Sequence, residues 1–163
     1  MNKLFFGFVL FLIITFSYNV NAQVPSISIS GEGIEPVTIT KTMFSEMKQV
    51  VIMAKGHDDI VHRYSGVTLS DILVKAGIVL GDSVKNKTAN SYVIITAADN
   101  YKAIYSLPEV DPLFAGRSII LADRADKKPL PAEDGPFQIV VPGEKKHTRW
   151  IRQVNSIQVV SVK

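Results

Sequence analysis

The chain contains no cysteine. That absence excludes a thiolate nucleophile, Cys-ligated zinc, iron–sulfur clusters, c-type haem attachment and a lipobox anchor, and no disulfide can staple the fold. The Gly-rich phosphate signatures are missing too: no G-x-G-x-x-G follows a strand and no G-x-x-x-x-G-K opens a helix. Neither a G-x-S-x-G elbow nor an H-E-x-x-H zinc helix occurs. These gaps remove the commoner enzyme classes. No strong excess of one charge is present either, the 163 residues carrying +3. Nucleic-acid binders concentrate positive charge on one face, so that partner class is not expected.

What is present begins with the leader. Lys3 is followed by an uncharged apolar run from Leu4 to Phe16, then Ser17-Tyr18-Asn19 and Val20-Asn21-Ala22. A spanning helix needs about 20 apolar residues, so the run is short for an anchor and suits a secretory signal cleaved after Ala22. Residues 1–22 are read as signal and 23–163 as one domain without a membrane span, periplasmic or secreted. Beyond Ala22 the chain has 33 Val and Ile against 7 Leu. Branching at Cβ fits the pleated sheet better than the helix, which predicts more strand than helix.

The strand candidates are Ser26–Ser30, Val37–Thr40, Val50–Met53, Tyr92–Ala97, Lys102–Tyr105, Ile119–Ala122, Phe137–Val141 and Ser156–Val162. Ile27 and Ile29, then Val37 and Ile39, alternate with period two. Ile119-Ile120-Leu121 and Ile139-Val140-Val141 are continuous, as in strands buried on both sides. Thr68 caps a helix over residues 69–76, in which Leu69, Ile72, Leu73 and Ala76 form one apolar stripe and Gly77 is the stop. A weaker helix spans Met43–Gln49, with Phe44 and Met47 inward. Leu107-Pro108-Glu109-Val110 adds a short helical turn. Asp99-Asn100 is a hairpin turn, and Asp123–Gly135 is read as a polar surface loop. Asn86-Lys87-Thr88 fits a glycosylation acceptor. The fold class is α+β, sheet-dominated, with one clear amphipathic helix.

Three constellations carry chemistry. His57-Asp58-Asp59-Ile60-Val61-His62 reads as a polar turn after a strand; on a strand His57 and Asp59 would share a face, with His62 on the other. As a metal site it would need a third ligand, and the one other histidine is His147. No metal ligand is assigned. Asp99 and Tyr101 sit beside a hairpin tip, where a carboxylate and a phenol can meet a ligand. From Lys145 to Arg152 come Lys145, Lys146, His147, Arg149 and Arg152 around Trp150, with no acid. Such donors beside an indole suit an anion, while the same residues also make a solvated basic loop with Trp150 turned into the core.

Several segments, taken in order, resemble one family. Gly66-Val67-Thr68-Leu69-Ser70-Asp71-Ile72-Leu73 with Ala76-Gly77 resembles the G-V-x-L-x-x-L-L…A-G stretch of the sulfite-oxidase-type molybdopterin-binding domain. Ala98-Asp99-Asn100-Tyr101 with Ser106-Leu107 is similar to its A-D-G-Y…S-L segment. Leu121-Ala122, Pro129-Leu130, Asp134-Gly135-Pro136-Phe137 and Val140-Val141-Pro142-Gly143 resemble its L-A…P-L…G-P-x-R-L-V-V-P-G run, and Arg149-Trp150-Ile151-Arg152 with Ile157 its closing R-W-V-K…I.

The resemblance implies that fold and an oxygen-atom-transfer chemistry at molybdenum, held by a pterin dithiolene and one protein cysteine. Here the ligand position, counted back from Gly66, falls at about Ala54, whose methyl binds no metal. The family's Gly between Asp and Tyr is Asn100. The family's enzymes also have a longer N-terminal portion than precedes Val50 here. Exported members usually cross folded on a twin-arginine signal, whereas Met1-Asn2-Lys3 has no arginine pair.

The expectation is therefore an exported, non-catalytic binding module for a small anionic or pterin-like ligand or a periplasmic protein. Its contacts would be Asp99, Tyr101, Lys145, Lys146, His147, Arg149 and Arg152. No cofactor is expected, although the resemblance admits molybdopterin. The alternative is a pterin–molybdenum oxidoreductase that binds its cofactor without a protein thiolate, through His57 or no protein ligand. A third is a structural subunit that docks by an exposed sheet edge.

Overall fold

In a computed structural model the described residues are 24–81 and 89–162, so the leader and the Asn86 triplet lie outside them. Strands β1 (Ser26–Gly31), β2 (Ile34–Thr40), β5 (Ser91–Ala97), β6 (Lys102–Ser106) and β10 (Val154–Ser161) form one sheet in the order β2-β1-β10-β5-β6. Within it β1 and β10 run parallel, Ile29 opposite Ile157, and the other neighbours are antiparallel. Strands β3 (Val50–Lys55), β4 (Val61–Thr68), β7 (Ile120–Ala125) and β8 (Lys128–Pro129) form a second sheet in that order, and β9 (Gln138–Val140) also pairs with β7. The excess of β-branched residues fills the space enclosed by both. Ile27, Ile29, Val67, Ile95, Leu121, Ile139 and Ile157 are all fully buried in one cluster.

The helices follow from their caps. Helix α1 (Lys41–Glu46) starts at Thr40, whose hydroxyl accepts from the Met43 N–H at 3.3 Å. It stops three residues short of the expected Gln49, because the Gln49 side chain itself donates to the Phe44 carbonyl at 2.9 Å and closes the end. Helix α2 (Leu69–Lys75) is capped by Thr68 as expected, buries Leu69, Ile72 and Leu73, and gives way to Gly77 at φ 88°. Helix α3 (Leu107–Val110) carries a Ser106–Glu109 capping box. Among the described residues no helix is long and apolar enough to cross a membrane.

Two regions depart from the sequence expectation. Strand β4 is absent from the strand candidates, because His62, Arg63, Ser65 and Gly66 break its apolar pattern; its pairing with β3 and β7 makes it a strand. His57 and Asp59 therefore lie in the β3–β4 turn, closed by Gly56 N–H to Ile60 O at 2.7 Å, and share no strand face. The supposed loop from Asp123 is likewise partly strand. Strand β7 runs on through Ala125, and Asp126 and Lys127, both at positive φ, turn the chain into β8. Pro36 is tolerated in β2 because that strand forms a sheet edge.

Candidate functional site

The β3–β4 turn, the tip of the β5–β6 hairpin and the 3₁₀ turn His147–Arg149 converge on one cleft of about 440 Å³. The hairpin tip is shaped by Asn100 at φ 68° and by the Asp99 carboxylate, which accepts from the Tyr101 N–H at 2.9 Å. The Tyr101 hydroxyl then donates to the Thr148 carbonyl at 2.9 Å and ties the tip to the 3₁₀ turn. His57 and His147, distant in sequence, have ring centroids 4.7 Å apart, and His147 leans on Trp150 at 4.4 Å. Trp150 is buried, as expected, and among the described residues its indole nitrogen has no hydrogen-bond partner. Arg152 closes one side, its Nε 2.8 Å from Asp134.

Of the residues the sequence singled out, Asp99, Tyr101, His147 and Arg152 thus line the same cleft. Arg149 does not. Its guanidinium lies over the Tyr105 ring at 4.6 Å and is held by Glu109 and Glu144, with Arg117 completing the network. Burial works against the Glu109 charge, yet the Arg149 hydrogen bond holds its carboxyl below the usual range. The Tyr105 hydroxyl in turn donates to the Arg149 carbonyl, and burial drives that phenol far up. Arg149 therefore anchors the 3₁₀ turn. Lys145 and Lys146 are exposed and make no ion pair among the described residues. His57, Glu133 and Trp150 also line the cleft; the sequence singled out His57 and Trp150 but not Glu133.

Burial, then the neighbouring Arg152 charge and His147, hold His57 below the ordinary histidine value, so it is neutral at pH 7. His62 behaves oppositely. It is hydrogen-bonded to Asp126 at 2.7 Å and to Asp58 at 2.9 Å, and these bonds raise its value while lowering both carboxyls. The imidazolium links the β3–β4 turn to the β7–β8 turn. Its stabilisation is complete below the unfolded value of 6.5 and is lost as pH rises through the higher folded value. The two carboxyls contribute above 3.8 and lose their share as pH falls through their lower folded values. The melting-temperature difference between the native chain and His62→Gln, measured by calorimetry across pH, is accordingly expected to peak between about 4 and 6.5 and to shrink in alkali.

The donor set does not fit a thiolate-held molybdenum centre. Ala54 sits on β3 opposite His62, 6% exposed, with its methyl in the apolar core. Among the described residues no three His, Asp or Glu side chains gather to hold a metal ion.

A model of the family described as oxidoreductase molybdopterin binding domain matches residues 39–163. No curated protein matches the chain. Among solved structures it is similar to the sulfane dehydrogenase SoxCD from Paracoccus pantotrophus, with a TM-score of 0.66 at 19% identity. That likeness covers 83% of this chain and 38% of the other, so this chain spans well under half the length of its structural relative, and the likeness is one of fold.

Proposed function

The chain belongs to the oxidoreductase molybdopterin binding domain family, and from that premise we propose that it is a non-catalytic module binding a small anionic, pterin-like ligand. The observation that carries this reading is the buried Trp150 indole N–H, without an acceptor among the described residues, on the wall of a cleft that also presents Arg152 and two imidazoles. A buried donor without a partner costs about 1–3 kcal/mol, which an anionic or carbonyl-bearing ligand recovers. His57, His147 and Trp150 pack edge-to-face and tilted against one another on the cleft wall, an aromatic lining suited to a heteroaromatic ring. Because Ala54 supplies no thiolate, no redox step is assigned to these residues. The module works outside the cytoplasm, its leader removed after Ala22; N-terminal sequencing of the native protein checks that cleavage.

The test is elemental analysis for molybdenum and tungsten on protein from a molybdate-replete native host, with pterin fluorescence after denaturation. Pterin without stoichiometric metal is the expected result. Metal near one per chain overturns the non-catalytic reading and favours an oxidoreductase without a protein thiolate, and absence of any pterin removes the pterin-like ligand. Trp150→Phe deletes the donor together with part of a buried ring, so its melting temperature should fall as well, and its pterin content per folded chain should fall about tenfold.

A further inference from the structure

Of the strands that end the two sheets, all but one are closed to further pairing. Strand β2 carries Pro36, which has no N–H to offer. Strand β6 has its Ile104 carbonyl taken by Arg149 Nη1 at 3.4 Å and its Ser106 N–H by Glu109 at 3.0 Å. Strand β8 is two residues long and ends in Pro129, and β9 donates its Ile139 N–H to the Ile151 carbonyl at 2.8 Å. Strand β3 has none of these devices. It reads Val50-Val51-Ile52-Met53-Ala54-Lys55, without proline or glycine, and its one charge is already paired, Lys55 Nζ lying 2.8 Å from Asp59.

The register fixes which groups β3 presents. The Gly56 N–H donates to the Ile60 carbonyl at 2.7 Å, and these two residues continue the β3–β4 pairing by one step. In an antiparallel ladder bonded pairs alternate with unbonded ones. Val50, Ile52 and Ala54 therefore bond to β4, while Val51, Met53 and Lys55 turn their N–H and C=O to the open side. Among the described residues no hydrogen bond reaches those groups from that side. The same positions carry exposed apolar side chains, Val51 at 47% and Met53 at 61%. The opposite face is apolar too, with Val50 and Ile52 half-buried against the core.

A second copy of the strand fits this edge. An antiparallel pair about a two-fold axis at Ile52 sets Val51 opposite Met53 of the other copy, and Met53 opposite its Val51. Both positions have outward N–H and C=O, so ladder bonds form, and the four side chains meet on one face. The two Ile52 side chains meet on the other. Lys55 faces Gln49 rather than a cation. Lys48, exposed and without an ion pair among the described residues, falls across from Gly56 beside Asp59, whose carboxylate is 84% exposed. A shift by one residue would set outward groups against inward ones, and a shift by two would set Val51 against Lys55 or Met53 against Gln49.

We propose that β3 is the contact by which two copies of this chain associate, as an antiparallel, two-fold pair of edge strands centred on Ile52. One strand and its flanks fall at the small end of specific interfaces, so the dimer is reversible at micromolar concentration. The contact needs no ligand in the Trp150 cleft and stands apart from the pterin reading.

Sedimentation velocity on the full mature chain, from low to hundreds of micromolar, is expected to show a monomer–dimer equilibrium. Met53→Lys and Val51→Lys alter exposed side chains and place a cation on the edge, which should weaken the dimer about tenfold or more. Lys48→Glu, brought against Asp59, should weaken it less. Ile104→Lys, comparably exposed on β6, should leave it unchanged. Because the chain has no cysteine, Ile52→Cys puts a single thiol on the axis, in an unbonded pair whose Cα atoms stand about 4.5 Å apart. That separation suits a disulfide, so mild oxidation should link two copies, while Ile104→Cys stays unlinked. Thermal melts establish that each variant is folded; if Ile52→Cys is not, Met53→Lys and Val51→Lys decide the matter. A native chain that stays monomeric throughout overturns the proposal and leaves the edge to a strand of another protein. A dimer that survives both lysine variants, or that folded Ile52→Cys fails to cross-link, overturns it too.

Discussion

Gly66→Ala is expected to be the most damaging single methyl in this protein, costing about 4 kcal/mol or more. A Cβ at Gly66 would lie 2.0 Å from the Leu121 carbonyl oxygen and 2.6 Å from the Ala122 Cα. These are backbone atoms of the neighbouring strand, so no rotamer change relieves the overlap. Gly66 sits where the β4–β7 register shifts, opposite Ala122, and the two chains approach most closely there. To admit the methyl, β4 must part from β7 in the centre of the second sheet, which breaks ladder hydrogen bonds and opens the core around the fully buried Val67 and Leu121. A drop of about 15 °C in melting temperature is the expected scale for a domain of this size. Gly116→Ala is the control, since a Cβ there meets nothing within 4 Å, and its melting temperature should match the native one. A Gly66→Ala protein that melts with the control would show that the strands separate at little cost.

Lys41→Met is expected to be the next largest. Lys41 Nζ is 2.6 Å from Asp123 Oδ2, a carboxylate only 5% exposed, and lies 4.9 Å from the Phe137 ring centroid and 5.6 Å from that of Phe44. This one ammonium joins α1 to β7 and so locks the helix against the second sheet. Methionine keeps the apolar stem but leaves Asp123 buried with, among the described residues, only Arg124 Nε at 3.9 Å. Removing one partner of a buried pair costs about 3–5 kcal/mol; the partial exposure of Lys41 places this case near 3. The pair itself is worth less than its disruption. Lys41→Met with Asp123→Leu should therefore recover most of the loss, and denaturant unfolding of both single variants and the double variant measures this coupling.

Gly66 also shows how sequence and structure divide the explanation. The G-V-x-L stretch marks a glycine, but the reason for it, the Leu121 carbonyl of another strand, is contributed from far along the chain. Helix α2 was legible to within a residue because its determinants are local: Thr68 caps, four apolar residues share a face and Gly77 stops. Strand β4 was not, because its polar and glycine residues are strand only by virtue of two flanking partners.

The site divides in the same way. Charge at Lys145 through Arg152 could be read from composition, yet availability could not. Arg149 is neutralised by Glu109, 40 positions away, and Arg152 reaches the cleft beside His57 while paired with Asp134. His57 looked like part of a polar turn, and it is; only folding sets His147 and Trp150 against it.

By itself, then, the sequence determined the sheet-rich fold, the family and the lack of a thiolate, since each rests on residue type and near-neighbour spacing. Tertiary structure alone decided which cations remain free, which histidine stays neutral and which buried polar atoms lack partners. Those properties depend on distance and desolvation among residues that the chain brings together from separate segments.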